Sequence, residues 1–294
     1  MKKQLQLIIV LIGILTISSC EKDIPYKGDN KDSLLVVNQI IERDSTFAVQ
    51  VQRSIFFLES NSTDVTINDA LVTITNLSNG TSETQSAGVN GRYDFAMVAQ
   101  EGVRYRIDAS HPLYPSVHSE TTIPYVIPLV SVDTSSVENP NNPGGRVMNA
   151  TFRWNDPSGQ NRYIVLVRWV GDFNIEPFNF QLRSKDFSIS SGGGNEFGED
   201  LYAGFFALDD ASFDGTQKEF KVAFDRPSSL ETGEYQFELY HCTEEAYRYL
   251  ISSDIAQFSG GGDPFTEPVK VFANITGGYG IFAGMSKSQI IMYQ

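Results

Sequence analysis

Along most of the chain, apolar residues recur at every second position, the period of a half-buried strand. Thr46-Phe47-Ala48-Val49-Gln50-Val51 alternates in this way, and the β-rich run Leu34 to Ile41 precedes it. Ala70 to Leu77 (ALVTITNL) sets Leu71, Thr73 and Thr75 on one face and Val72, Ile74 and Asn76 on the other. The dipeptides Asn79-Gly80 and Asn90-Gly91 signal tight turns. Arg92 to Phe95 leads away from the second. Tyr105 to Ala109 follows Gly102, and Val117 to Ile123 alternates until Pro124 stops it. Proline-rich stretches, PYVIP at 124–128 and NPNNPGG at 139–145, bracket Leu129 to Asp133 and suggest a boundary near residue 125. Beyond it, Asn149 to Trp154 and Arg162 to Val170 flank the turn Asn155 to Gly159, and Glu219 to Asp225 and Glu234 to Tyr240 return to period two. Residues 171 to 218 carry little pattern apart from Phe205 to Leu208 and the loop SSGGGN at 190–195. The period then becomes helical, because Tyr247, Leu250, Ile251, Ile255 and Phe258 share one face. Thr243 is placed as N-cap, Glu244 and Glu245 suit the positive end of the dipole, and Gly260 to Gly262 end the run. The pattern predicts a mainly β chain: a sandwich over 33–125, then a second β-rich domain over 126–294 with one helix near 243–259.

The N-terminus obeys a different rule. Lys2 and Lys3 precede the apolar run Leu5 to Leu15, which is shorter than the roughly 20 residues a membrane helix needs. Residues 1–19 are therefore expected to be a signal peptide, and 20–32 a polar tether. Ile17-Ser18-Ser19-Cys20 resembles a lipobox, in which cleavage before the cysteine leaves its thiol to carry diacylglycerol. That resemblance nominates Cys20 for lipidation, and acyl chains at about 0.8 kcal/mol per buried CH₂ make such an anchor permanent. Glu21-Lys22-Asp23 resembles the export signal of Bacteroidota surface lipoproteins. Asp32-Ser33-Leu34 and Asp44-Ser45-Thr46 resemble O-glycosylation sites of the same group.

Charge narrows the partners. The chain has 22 basic and 36 acidic residues; without Lys2 and Lys3 the net charge falls from −14 to −16. Such a chain repels nucleic acid and anionic lipid, so attachment to a membrane falls to Cys20. The only other cysteine, Cys242, sits between a strand and a helix start and is expected to be a buried, inert thiol.

Candidate chemistry is sparse. Gly278-Tyr279-Gly280-Ile281-Phe282-Ala283 has the letters of a dinucleotide fingerprint but no following helix or distal acid, so its glycines are expected to form a tight turn and bring the backbone close to a neighbour. Asp209, Asp210 and Asp214 could supply oxygens to a calcium ion, against the alternative of a turn whose carboxylates cap backbone amides. His111 and His118 flank two prolines without a placed third ligand. Neither a Gly-x-Ser-x-Gly elbow nor a Cys-His arrangement is present. Trp154 and Trp169 are expected in the core, whereas Tyr114, Tyr125, Phe173, Phe178 and Phe180 lie in loop-like segments where a binding surface could use them.

Resemblances add to this. The order Ala70-x-Val72-x-Ile74, Asn90-Gly91-x-Tyr93, Gly102-x-x-Tyr105-x-Ile107 resembles transthyretin-like and Ig-like sandwiches, and Trp154 before a turn with Tyr163 opening the next strand looks like fibronectin type III packing. The helix Glu244-Glu245-Ala246-Tyr247-x-Tyr249-Leu250, Pro264-Phe265-x-x-Pro268, Asn274-Ile275-x-Gly277-Gly278-x-Gly280-Ile281-Phe282 and the loop Asp209 to Gly215 resemble Bacteroidota lipoproteins of domain of unknown function family 4249. The resemblance implies a surface lipoprotein, often encoded beside a TonB-dependent outer-membrane receptor. The expectation is an outer-membrane, lipid-anchored, non-catalytic binding or accessory module working with such a receptor on an unknown extracellular ligand, without cofactor and without nucleic acid. A carboxylate-based hydrolase and a purely structural spacer are the alternatives.

Overall fold

The computed structural model describes residues 32–55, 64–140, 142–171, 176–190, 201–228, 230, 233–259 and 269–293. The leader, Cys20 and the tether before residue 32 lie outside them, as do Phe173, the glycines at 260–262 and Pro264 to Pro268. Residues 33–294 form one compact unit.

The first part of that unit contains β1 (Leu35–Glu42), β2 (Thr46–Arg53), β3 (Leu71–Asn76), β4 (Ser82–Gln85), β5 (Arg92–Val98), β6 (Arg104–His111) and β7 (Tyr114–Thr122). There follow β8 (Leu129–Glu138), β9 (Arg146–Asn155), β10 (Arg162–Gly171), β11 (Phe178–Asn179), β12 (Leu182–Ser184), β13 (Leu201–Ala203), β14 (Phe206–Asp209), β15 (Gln217–Arg226) and β16 (Gly233–Cys242). The helix α1 (Glu244–Ser259) and the last strand, β17 (Tyr279–Tyr293), complete the set. The expected turns form: Gly80 closes the β3–β4 hairpin with φ +74°, and Asn90 and Gly91, at φ +53° and +76°, join Val89 to Arg92.

A spine sheet runs β11-β10-β16-β17-β1-β2-β5, with β14 also on β10. Two smaller sheets, β4-β3-β6-β7 and β13-β12-β15-β9-β8, complete two cores. Alternation decides which side chains enter them. In β2, Phe47, Val49 and Val51 are buried, and in β15 Phe220, Val222 and Phe224 are buried, while their neighbours stay wet. One core gathers Phe47, Ile74, Tyr93, Tyr105, Ile107 and Ile123; the other gathers Ile127, Phe152, Trp154, Tyr163, Trp169 and Phe237. The cores part between Ile123 and Ile127.

The two cores nevertheless share a strand. β17 pairs parallel to β1 from Tyr279 to Met285, then antiparallel to β16 from Met285 to Tyr293. Its Phe282 enters the first core, and its Ile290 and Met292 pack on the second. The span 126–294, expected as a second β-rich domain, also supplies Ile275 and Phe282 to the first core. Of the glycines expected to form a tight turn, Gly278 lies in the bend just before β17 and Gly280 is the second residue of the strand. A Cβ on Gly280 (φ +106°) would come within 3.0 Å of Val37 O, and one on Gly278 would come as close to Leu35 O. Backbone-to-backbone proximity is what these glycines permit.

β10 has five consecutive buried residues, Tyr163 to Val167, because both of its faces are covered. Tyr163, Val165 and Val167 face the second core; Ile164 and Leu166 join Tyr240, Cys242 and Ile281 beneath α1. The helix begins where the sequence placed it: Thr243 Oγ1 accepts from Ala246 N at 3.3 Å. Ala246 and Tyr247 are buried, Leu250 and Ile251 half-buried, and Ile255 is exposed, so the helix lifts off the sheet along its length. The side chain of Phe258 lies outside the described residues.

Candidate functional site

The lifted helix leaves a groove. The extended segment after residue 269 runs beside α1 and is pinned twice. Phe272 N donates to Ser252 Oγ at 2.8 Å, while that hydroxyl donates to Tyr249 O at 3.1 Å. The side chain of Asn274 acts as a clasp, donating to Phe282 O (2.8 Å) and accepting from Phe282 N (2.9 Å), and Ser119 Oγ donates to Asn274 O at 2.9 Å. Between these elements lies a cavity of about 700 Å³. Arg248, Ile251, Ser252 and Ile255 line its helical wall at i, i+3, i+4 and i+7, and Val269, Val271 and Tyr279 line the opposite wall. The Arg248 guanidinium lies 4.3 Å from the Phe272 ring centroid, and Lys270 contributes the other cation.

The aspartates form a different arrangement from the one expected. Carboxylate oxygens of Asp156, Asp210 and Asp214 lie within 4.8 Å of one another. Asp209 is elsewhere, accepting from Ser190 Oγ (3.3 Å) and Ala211 N (3.1 Å). Asp156 replaces it because β9 pairs with β15, Asn155 opposite Gln217, and Asp156 N then donates to Thr216 O at 2.9 Å beside the loop, a proximity invisible in a local loop motif. Each carboxylate of the cluster holds a backbone amide: Asp156 that of Gly215 (2.8 Å), Asp210 that of Asn161 (2.6 Å), and Asp214 that of Gly159 (2.8 Å). Asp156 also accepts from Tyr163 OH. Burial raises the Asp156 carboxyl above the usual range, with the Tyr163 and Gly215 hydrogen bonds opposing and Asp210 and Asp214 adding. Burial, then Asp156, pushes the Tyr163 hydroxyl up. The arrangement staples the 155–161 turn to the 210–216 turn. A calcium ion, which takes six to eight oxygens, would compete with those amides.

The remaining candidates are scattered. His111 meets Asp69 at 3.2 Å and stacks near Tyr114, and the backbone of His118 bridges to Thr276; among the described residues no cluster of metal ligands contains a histidine. Cys242 is buried, its Sγ 3.5 Å from Arg162 O, and burial holds its thiol far above the ordinary range. Trp154, Trp169 and Phe180 are core; Tyr114 is half-buried, and Tyr125 and Phe178 are exposed. Sequence reasoning did not single out Arg248, Lys270 and Phe272. For Arg248 a signal was present: it lies at i−3 and i−7 from Ile251 and Ile255 of the counted apolar stripe, on that stripe's edge with Ser252.

The fold and the groove define a β-sandwich protein with two cores on one shared sheet and a helix-flanked surface cavity. The chain belongs to the family described as domain of unknown function (DUF4249), which it matches over residues 21–291. Among solved structures it is similar to a two fibronectin type-III domain segment from chicken tenascin (12% identity, TM-score 0.20, 70% of this chain and 88% of that one). It is also similar to a β-glucuronidase from glycoside hydrolase family 2 (12% identity, TM-score 0.22, 71% of this chain and 19% of that one). No curated protein matches the chain.

Proposed function

We propose that this chain is a lipid-anchored, non-catalytic binding module of the Bacteroidota outer membrane that presents a small-molecule ligand to, or docks on, a TonB-dependent receptor. The observation that carries the binding role is the groove between α1 and 269–279. Its volume of about 700 Å³ falls within the roughly 300–1,000 Å³ of small-molecule sites, and it combines apolar walls with a few polar groups as such sites do. Anchoring rests on Cys20 and the tether to residue 32, and the charge of −14 supports a partner other than nucleic acid.

The test is made in a Bacteroidota host. Wild-type protein is expected in the outer-membrane fraction with acyl mass on Cys20, and Cys20→Ser is expected to be soluble or to retain its leader. Normal processing and membrane retention of Cys20→Ser would refute the anchor. Affinity purification from detergent-solubilised outer membrane should recover a β-barrel partner, and recovery of the protein alone would refute receptor docking.

A further inference from the structure

Resting on the reading of the groove as a ligand site, we infer that it selects a small amphiphilic anion: one acidic head group on an apolar body. The argument starts from the cations. On this acidic chain they are largely neutralised by carboxylates: Arg92 by Asp94, Arg104 by Glu120, Arg153 by Glu219, Arg183 by Asp225 and Lys221 by Glu219. Arg248 and Lys270 differ. Among the described residues neither has an ion-pair partner, a property they share with Arg146, Arg168 and Lys185, but these two line the same cavity.

An anion approaching a chain of net charge −14 is repelled generally, so a cavity lined by two cations is a place where it can bind. The Phe272 ring supports one face of the Arg248 guanidinium. That contact leaves the edge donors of the planar group available for an acidic head in its own plane. The rest of the wall repels charge. Ile251, Ile255, Val269 and Val271 offer only carbon, and Tyr279, about half exposed, adds a ring edge. A fully polar anion would leave that surface wet, and a neutral hydrocarbon would leave both cations unused. An amphiphilic anion satisfies both halves.

The experiment uses the mature chain with Cys20→Ser, which retains every residue of both cores, and two fluorescent probes of the same aromatic shape. 8-Anilinonaphthalene-1-sulfonate carries an acidic group, and N-phenyl-1-naphthylamine lacks it. The sulfonate is expected to bind about tenfold more tightly, the equivalent of one charge-assisted hydrogen bond. Arg248→Gln should remove about that factor, Lys270→Gln a few-fold, and neither should move the neutral probe by more than about twofold. Ile255→Asp should weaken both probes.

Equal affinities lost together in Ile255→Asp would overturn the anionic preference while leaving a ligand site. A preference for the sulfonate that survives Arg248→Gln and Lys270→Gln would also overturn it. Absence of binding by either probe, or binding untouched by Ile255→Asp, would overturn both the preference and the site.

Discussion

Gly280→Ala tests whether β17 joins the two cores. Gly280 sits at φ +106°, where an L side chain is strained; its Cβ would approach Val37 O to less than 3.0 Å and Asn38 Oδ1 to 2.8 Å. The asparagine side chain can move. The Val37 carbonyl cannot, because Val37 is the partner of Gly280 in the β1–β17 ladder. Backbone strain of this kind costs about 1–3 kcal/mol, and opening a ladder hydrogen bond to relieve the clash costs about 1 kcal/mol more for each bond. The reduced freedom of the unfolded chain returns about 0.4–1 kcal/mol. The net loss is about 3 kcal/mol, a large share of the roughly 5–15 kcal/mol that holds a typical domain. With a urea slope of about 3 kcal/mol/M, the midpoint should fall by about 1 M.

The assay is equilibrium urea unfolding followed by tryptophan fluorescence and far-ultraviolet circular dichroism on the same samples. Trp154 and Trp169 both belong to the second core, whereas the clash lies beside the first. A shared strand requires the fluorescence transition to move with the dichroism transition. Gly204→Ala is the control, since nothing lies within 4 Å of a Cβ there. A shift no larger than the control, or an unmoved tryptophan transition, would refute the reasoning.

Other expectations follow from the buried polar groups. Asp210→Ala should destabilise the fold by about 2–4 kcal/mol, because it strands the Asn161 amides and leaves Arg162, 3.8 Å away, without its buried partner. If the aspartates are a staple, millimolar calcium should leave the wild-type thermal midpoint unchanged, whereas a bound ion would raise it in proportion to the logarithm of concentration. Burial lowers the His241 imidazole from its ordinary 6.5, against the pull of the hydrogen bond to Tyr125 O at 2.8 Å. The neutral ring therefore stabilises the fold above about pH 6.5, and that contribution drains away as pH falls toward the depressed folded-state value. His241→Gln should flatten the slope of stability against pH in that window, as urea titrations at several pH values would record. Cys242 should resist thiol reagents in the native chain and react at the rate of global opening, since burial keeps it a thiol. Rapid native labelling would contradict its packing.

What could be read along the chain was what depends on neighbours in sequence. The alternation of Phe47, Val49 and Val51 fixes which face of β2 is buried, and Asn90-Gly91 supplies the positive φ of its turn whatever lies around it. Thr243 can cap α1 because its acceptor and the Ala246 amide are three residues apart. The aspartate cluster was legible by half: Asp210 and Asp214 share a loop with Asp209, but Asp156 arrives from 54 positions earlier than Asp210, and only the pairing of β9 with β15, which sets Asn155 opposite Gln217, brings it to that loop.

The groove was legible only as parts. A stripe at Arg248, Ile251, Ser252 and Ile255 is a property of one helix, yet whether it meets another wall depends on the hydrogen bond between Ser252 and Phe272, 20 residues apart. The sequence by itself determined the strongly alternating strands such as β2, β3, β15 and β16, their buried faces, the helix start and the acidic charge, because each follows from side-chain periodicity and local backbone chemistry, whereas β11 to β13 left no such pattern. Tertiary structure alone decided that β17 lies parallel to β1 before running on along β16, sewing two cores together. Parallel pairing of residues some 240 positions apart, Val37 with Gly280, has no local signature except the absence of a side chain where the two backbones meet.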